Sequence, residues 1–173
     1  DWVEGLDHWL LALLDTQLTP PEPGDPLRLR DLTDPQLQPE LEFWFAAHQV
    51  DSRALDQRVQ AALFPGQPRP GIGRQRLNGM LKGFIDLVFE WQGRYYVVDY
   101  KSNALSFKGE QDSDDAYTDE AMTGAVLDHR YELQYSLYTL ALHRLLRARL
   151  PGYKYDRHMG GVMYLFLRGI HGP

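Results

Sequence analysis

Two carboxylates and an ammonium stand in segments otherwise built from apolar side chains in GFIDLVFEWQGRYYVVDYKSN, residues 83–103. Asp86 interrupts FIDLVF, Asp99 interrupts YYVVDYK, and Lys101 follows two positions later. Alternate residues of a strand project to one side, so Asp99 and Lys101 share a face. Asp86 precedes Asp99 by thirteen residues, a separation that a tight hairpin turns into proximity on one sheet. Two neighbouring carboxylates repel strongly in a low dielectric. A hard divalent cation relieves that repulsion, and Mg²⁺ characteristically takes one or two carboxylates while leaving the rest of its shell to water, backbone carbonyls and phosphate. Lys101 beside it is placed to meet an attacking water or the non-bridging oxygens of a phosphate as negative charge builds. The chemistry that this combination suits is hydrolysis of a phosphodiester. A bare D-x-K is a common pattern and by itself reads more often as a solvated strand end. The apolar neighbours on both sides of Asp86 count against that, because a buried unpaired carboxylate is costly.

The elements that must position these groups follow from periodicity. Residues 80–90 and 94–101 are β-rich and predict a hairpin closed by Trp91, Gln92 and Gly93. LEFWFAA, residues 41–47, predicts a third strand, and residues 67–73, punctuated by Pro and Gly, a loop. Trp2, Leu6, Trp9, Leu10, Leu13 and Leu14 recur at helical spacing until TPPEPGDP ends the run. Helical patterning returns in AMTGAVLDH and in YELQYSLYTLALHRLLRARL, the latter stopping before Pro151 and Gly152. GGVMYLFLRG is apolar on both faces, which predicts a strand in the interior of a sheet with parallel character.

At 173 residues the chain is expected to form one domain with a substantial core. No apolar run reaches the roughly 20 residues needed to cross a bilayer, so no membrane span is expected. The absence of cysteine excludes disulfides, thiolate zinc sites and iron–sulfur clusters, leaving oxygen or imidazole as metal ligands. A net charge of -6 argues against a free-standing nucleic-acid binder, yet that charge is uneven. Residues 104–120 hold six acids against Lys108 alone, whereas residues 69–82 hold Arg69, Arg74, Arg76 and Lys82 with no acid. Arg74 and Arg76 are candidate phosphate contacts, although a solvated charge run fits the composition as well.

The runs GMLKGFIDLVFEWQGRYYVVDYKSN, AYTDEAM, HRYELQYSLYTLALHRLLR and GGVMYLFLRG resemble the RecB-type nuclease domains of the PD-(D/E)xK superfamily, over about residues 40–169. The resemblance implies an α/β restriction-endonuclease-like core, a mixed central sheet flanked by helices, and Mg²⁺-dependent DNA cleavage, with Ca²⁺ or Mn²⁺ able to take the same site. The family's G-x-x-D aspartate falls on Asp86, with Gly83 three residues before it, and its D-x-K pair on Asp99 and Lys101. Tyr100 would offer its backbone carbonyl to the metal. The upstream glutamate best matches Glu42 in ELEFWF, with Glu40 two residues away on the expected strand face. The Q-x-x-x-Y motif falls on Gln134 and Tyr138, one helical turn apart, which could reach the DNA backbone or Lys101.

This sequence departs from the family pattern in two places. The family's histidine ligand lies on a helix upstream of the glutamate, and His8 does not stand in that place. It reads as an exposed helix residue, so the chain is expected to begin after the ligand helix, with a metal site one ligand short. SFKGEQDSDDAY is a few residues longer than the family pattern. The resemblance further implies a bacterial cytoplasmic setting, single-stranded DNA ends fed by a helicase, and RecC-like and RecD-like partner subunits. A non-catalytic docking module on the same fold is the rival reading. The joint presence of Asp86, Asp99 and Lys101 disfavours it.

Overall fold

The computed structural model describes residues 2–20, 25–105 and 116–170. In chain order its elements are α1 (Trp2–Asp15), β1 (Gln17–Leu18), β2 (Leu27–Arg28), β3 (Leu37–Asp51), α2 (Ser52–Ala62), β4 (Arg76–Trp91), β5 (Arg94–Lys101), α3 (Asp119–Asp128), α4 (Tyr131–Arg149), α5 (Tyr155–His158) and β6 (Met159–Phe166). The main sheet runs β3-β4-β5-β6, antiparallel through the first three strands and parallel between β5 and β6, so it is mixed as expected.

The hairpin turn is tighter than the sequence suggested. Trp91 pairs with Arg94, leaving Gln92 and Gly93 as the only loop residues, both with positive φ at 52° and 78°. That geometry matches the right-handed twist of the flanking strands. At the other end of the sheet, β6 is the terminal strand of the described order and not an interior one. Its two apolar faces are both covered, because Leu165 packs with the N-terminal segments while Val162 and Met159 pack against α4. The parallel pairing is as expected, and burial on both sides came from layers above and below rather than from a second neighbouring strand.

Three further differences have local causes. The strand expected at 41–47 extends over fifteen residues, paired along its length with a sixteen-residue β4. Residues 52–62 form a helix not anticipated from the sequence, started by Asp51, whose carboxylate accepts hydrogen bonds from the backbone N–H groups of Arg53 and Ala54. The helix expected from Ala121 begins at Asp119, capped by Thr118, so Asp119 and Glu120 belong to its first turn, where acids favour the helix dipole. Most of the acidic segment, including the length difference in SFKGEQDSDDAY, lies outside the described residues.

Two apolar layers sandwich the sheet. On one side Leu87, Phe89, Tyr96 and Val98 pack against Leu18, Leu27, Leu29 and Leu32. On the other, Ile85, Val88 and Val97 pack against Tyr138, Ala141, Leu142 and Leu146 of α4, spaced one turn apart as a helix packing face requires. Ile85 and Val88 share that second layer although they are three residues apart, while Leu87 lies in the first. Regular alternation would put Ile85 and Leu87 together. The strand therefore changes face at Asp86, and on β3 the position across from it, Glu40, has a left-handed φ of 51°.

Gly83 has a packing reason: a Cβ there would run into the ring of Phe43, its partner across the β3–β4 ladder. That ring lies edge-on to Tyr138 at 5.7 Å. Gly83→Ala is expected to cost about 1–3 kcal/mol through displaced packing. Urea denaturation should show a lower midpoint at unchanged slope, and an unchanged midpoint would mean that Phe43 moves freely.

Candidate active site

The pairing between β4 and β5 stops at Leu87 and Val98. Two residues beyond Val98, the backbone N–H of Tyr100 donates to Asp86 Oδ2 at 2.8 Å. A carboxylate has taken the place of a ladder carbonyl, so the two strands part at Asp86 while β5 continues beside β6 through Asp99, Tyr100 and Lys101. The side chains of Asp86 and Asp99 meet at this fork.

Asp99 is only 2% exposed. Burial raises its pKa most, the Lys101 ammonium against Oδ2 opposes that, and the nearby Asp86 charge raises it again; the net direction is upward. Its Oδ2 atom is buried and makes no hydrogen bond, only the ion contact with Lys101. A buried carboxylate oxygen with that electron density and a second carboxylate beside it fits a hard cation better than it fits any neutral donor. Asp86 and Asp99, both at the fork, are the carboxylates that could hold one, a role the family resemblance extends to the Tyr100 carbonyl. Among the described residues no third His, Asp or Glu completes a cluster of metal-binding type.

Lys101 is likewise buried, at 8% exposure. Its Nζ donates to Gln134 Oε1 at 2.8 Å, and Gln134 Nε2 donates to the Tyr138 hydroxyl at 2.7 Å. The glutamine and tyrosine predicted to stack on one helical face thus form a relay from α4 to the lysine. Burial raises the Tyr138 pKa, the Gln134 hydrogen bond opposes this, and the charges of Asp99 and Asp86 add to the rise. The structure also places the Tyr131 ring 3.8 Å and the Tyr164 ring 5.2 Å from Lys101 Nζ. Neither tyrosine was singled out in the sequence, where aromatics at helical or strand spacing read as core.

The two glutamate candidates separate. Glu42 is on the outer face of β3, its carboxylate bonded to Trp44 Nε1 and to Lys82 Nζ at 3.2 Å, and those hydrogen bonds hold its pKa below the usual carboxylate range. Glu40 occupies the register position opposite Asp86, between the pairs Pro39 with Leu87 and Leu41 with Ile85. Glu40 has the left-handed φ of 51°, so strict alternation with Glu42 does not hold there. His8 is exposed on α1.

Arg74 and Arg76 are at the other end of the β3–β4 ribbon. Arg74 pairs with the α2 cap Asp51 at 3.2 Å and Arg76 donates to Gln49 at 3.3 Å. Ten residues of strand at roughly 3.3 Å each put Arg76 up to about 33 Å from Asp86. A cavity of about 840 Å³ between α2, α3, α4 and β6 includes Tyr135 and Tyr164 in its wall but none of Asp86, Asp99 and Lys101. At the fork itself Asp99 and Lys101 are buried.

Comparison with known proteins identifies the family. A model of the PD-(D/E)XK nuclease superfamily matches residues 6–172. The chain belongs to that superfamily. It is 45% identical over 170 residues to the RecBCD enzyme subunit RecB of Escherichia coli, covering 98% of this chain and 14% of that protein. It is 39% identical over 172 residues to RecB of Haemophilus influenzae, covering 99% of this chain and 13% of the relative. A shorter match, 48% over 103 residues, joins it to RecB of Mycobacterium tuberculosis, over 59% of this chain and 9% of that protein. The chain thus spans about one seventh of the length of the E. coli relative. No described helix is long and apolar enough to cross a membrane.

The raised pKa of Asp99 has a measurable consequence. A carboxylate that binds its proton more tightly in the folded state makes folding less favourable as pH rises from the unfolded value, about 3.9, through the raised folded one. Melting temperatures of the metal-free protein should therefore fall across that window, and Asp99→Asn should flatten the fall and raise the melting temperature at neutral pH. A lower melting temperature for Asp99→Asn would make the Lys101 contact the dominant influence instead.

Proposed function

We propose that this chain is the DNA-cleaving part of a RecB-type helicase-nuclease and hydrolyses phosphodiesters with a divalent cation, Mg²⁺ by preference, with Mn²⁺ or Ca²⁺ able to occupy the same place. The observation that carries this is the fork, where Asp86, the buried Asp99 carboxylate and the Lys101 ammonium converge. Asp86, Asp99 and the Tyr100 carbonyl would hold the cation, whose chemistry is to polarise an attacking water and neutralise charge on the phosphate. Lys101 faces the same point, and its ammonium offsets charge that develops on the non-bridging oxygens. Gln134 keeps the ammonium aimed there, and Tyr138 keeps the glutamine from rotating. Glu40, opposite Asp86, is better situated than Glu42 to support the cation or orient a water. Single-stranded DNA is the proposed substrate, supplied in the parent enzyme by a helicase motor, with partner subunits of the RecC and RecD kind; the relatives' name, RecBCD enzyme subunit RecB, supports the multi-subunit setting.

The decisive experiment is cleavage of single-stranded DNA with Mg²⁺ by the wild-type chain and by Asp99→Ala. Asp99→Ala should be inactive, while Lys101→Ala should lose on the order of a hundredfold in rate at equal or higher metal affinity. Equal cleavage by wild type and Asp99→Ala would sink the assignment. Glu40→Ala should be impaired more than Glu42→Ala, and the reverse order would return the role to Glu42.

Arg74 and Arg76 would meet the DNA backbone several nucleotides from the cut. Neutralising both should weaken binding for all sequences alike and flatten its salt dependence, while the cleavage rate at saturation holds. An unchanged salt slope would leave these arginines to their Asp51 and Gln49 contacts.

A further inference from the structure

The seat of the Lys101 ammonium has two aromatic walls in addition to its polar partners. Asp99 and Gln134 take two directions around Nζ. The Tyr131 ring, its centroid 3.8 Å away, takes a third, and Tyr164 at 5.2 Å takes a fourth. A cation over an aromatic face is attracted by the negative face of the ring quadrupole, more strongly where water is excluded. Lys101 is in that situation.

Tyr131 is itself held on several sides. Its hydroxyl donates to Asn103 Oδ1 at 3.0 Å, two residues beyond Lys101 on the same chain segment. Its ring stacks on His129, with centroids 5.2 Å apart and planes 16° apart. Its backbone carbonyl accepts the Tyr164 hydroxyl at 2.7 Å, which ties the two rings together. The preceding residue, Arg130, has a left-handed φ of 59° and is bonded to Glu132, to Asp56 and to the Pro70 carbonyl, so the first turn of α4 cannot rotate without breaking a buried ionic cluster. A ring that merely filled space would not need its edge, its stacking partner and its backbone fixed together.

We propose that Tyr131 is a positioning residue of the nuclease reaction: the face of its ring, with Tyr164 beside it, fixes the Lys101 ammonium at the point where the scissile phosphate is met. This rests on the reading of Lys101 as the group that faces the phosphate. The ring supplies orientation and an attractive surface, and it does not touch substrate. A long flexible side chain would otherwise sample several rotamers.

Tyr131→Leu should lower kcat on single-stranded DNA about threefold to thirtyfold, the span that a cation–π contact covers, with KM for DNA and affinity for Ca²⁺ by calorimetry near wild type. Tyr131→Phe keeps the ring and should recover most of the rate. In a Lys101→Ala background Tyr131→Leu should have no further effect, because the two side chains act as a unit. Independently of catalysis, the Lys101 ε-methylene resonance should be shifted upfield by ring current in the metal-free wild type and in Tyr131→Phe, and return to the ordinary lysine position in Tyr131→Leu. Should the leucine variant fold poorly, phenylalanine analogues with one, two and three fluorines at position 131 change the ring charge at nearly constant shape, and kcat should fall stepwise along the series. A flat fluorine series, or wild-type kcat in Tyr131→Leu while Lys101→Ala is inactive, overturns the role of Tyr131 alone. Full activity in Lys101→Ala overturns the reading beneath it.

Discussion

A carboxylate that is almost fully buried beside another carboxylate is the constraint around which this structure is arranged. Asp99 cannot be solvated by water, and Asp86 makes its charge costlier still. The molecule answers in three ways at once. It ends the β4–β5 ladder so that Asp86 accepts a backbone N–H in place of a strand partner, brings the Lys101 ammonium against Asp99, and surrounds that ammonium with Gln134, Tyr131 and Tyr164. The Asp99 oxygen against that ammonium has no other partner, so its charge rests on a single cation.

The helix that carries two of those supports, Tyr131 and Gln134, is anchored far more firmly than its sequence requires. Glu132, with no solvent exposure, accepts from Arg130 Nε at 2.7 Å and contacts Arg69 at 3.4 Å, while Arg130 also pairs with Asp56. Burial would raise the Asp56 carboxyl, but hydrogen bonds from Arg130 and Gln60 and the charges of Arg130 and Arg69 outweigh it and hold the pKa low. Such a cluster adds little net stability compared with apolar packing of the same volume, yet breaking it is expensive, roughly 3–5 kcal/mol for loss of one partner. Its geometric result is definite. It locks α2, the chain at Leu63 and Phe64, the carbonyl of Pro70 and the first turn of α4 into one arrangement, and that turn sets where Tyr131 and Gln134 stand over the sheet.

Much of the site was legible in the sequence because it depends on short-range periodicity. Asp99 and Lys101 share a face by strand alternation, the turn residues announce the hairpin, and Gln134 and Tyr138 meet because they are one helical turn apart. What was hidden depends on departures from regularity or on contacts across the chain. The two-residue alternation that made Glu40 and Glu42 look equivalent fails because Glu40 takes a left-handed conformation, and no local pattern announces it. The interior position inferred for β6 failed for another reason: apolarity on both faces records burial, and here layers on either side of a terminal strand supply it. Helix α2 was missed because SRALDQRVQAA is polar enough to resemble a loop, and only the Asp51 cap and the burial of Ser52, Asp56 and Val59 against the fold make it helical. Tyr131 was passed over since an aromatic at the start of an apolar helix reads as core until its ring is seen above an ammonium.

The kink at Glu40 and the end of the ladder at Asp86 occur at the same level of the sheet, and the coincidence has a mechanical origin. A strand that changes face must rotate its peptide planes, and a rotated plane no longer points its carbonyl at the neighbouring strand. The N–H of Tyr100 then needs another acceptor, and it finds one in the Asp86 carboxylate. Below the kink the sheet is a packed layer with both faces covered. Above it β4 stays with β3 and β5 stays with β6, so the two pairs part from Asp86 onward. The same irregularity that defeats a reading by alternation therefore parts the strands and turns the Asp86 carboxylate to the Tyr100 N–H beside Asp99, so the geometry of the candidate site and the departure from strand regularity are one event.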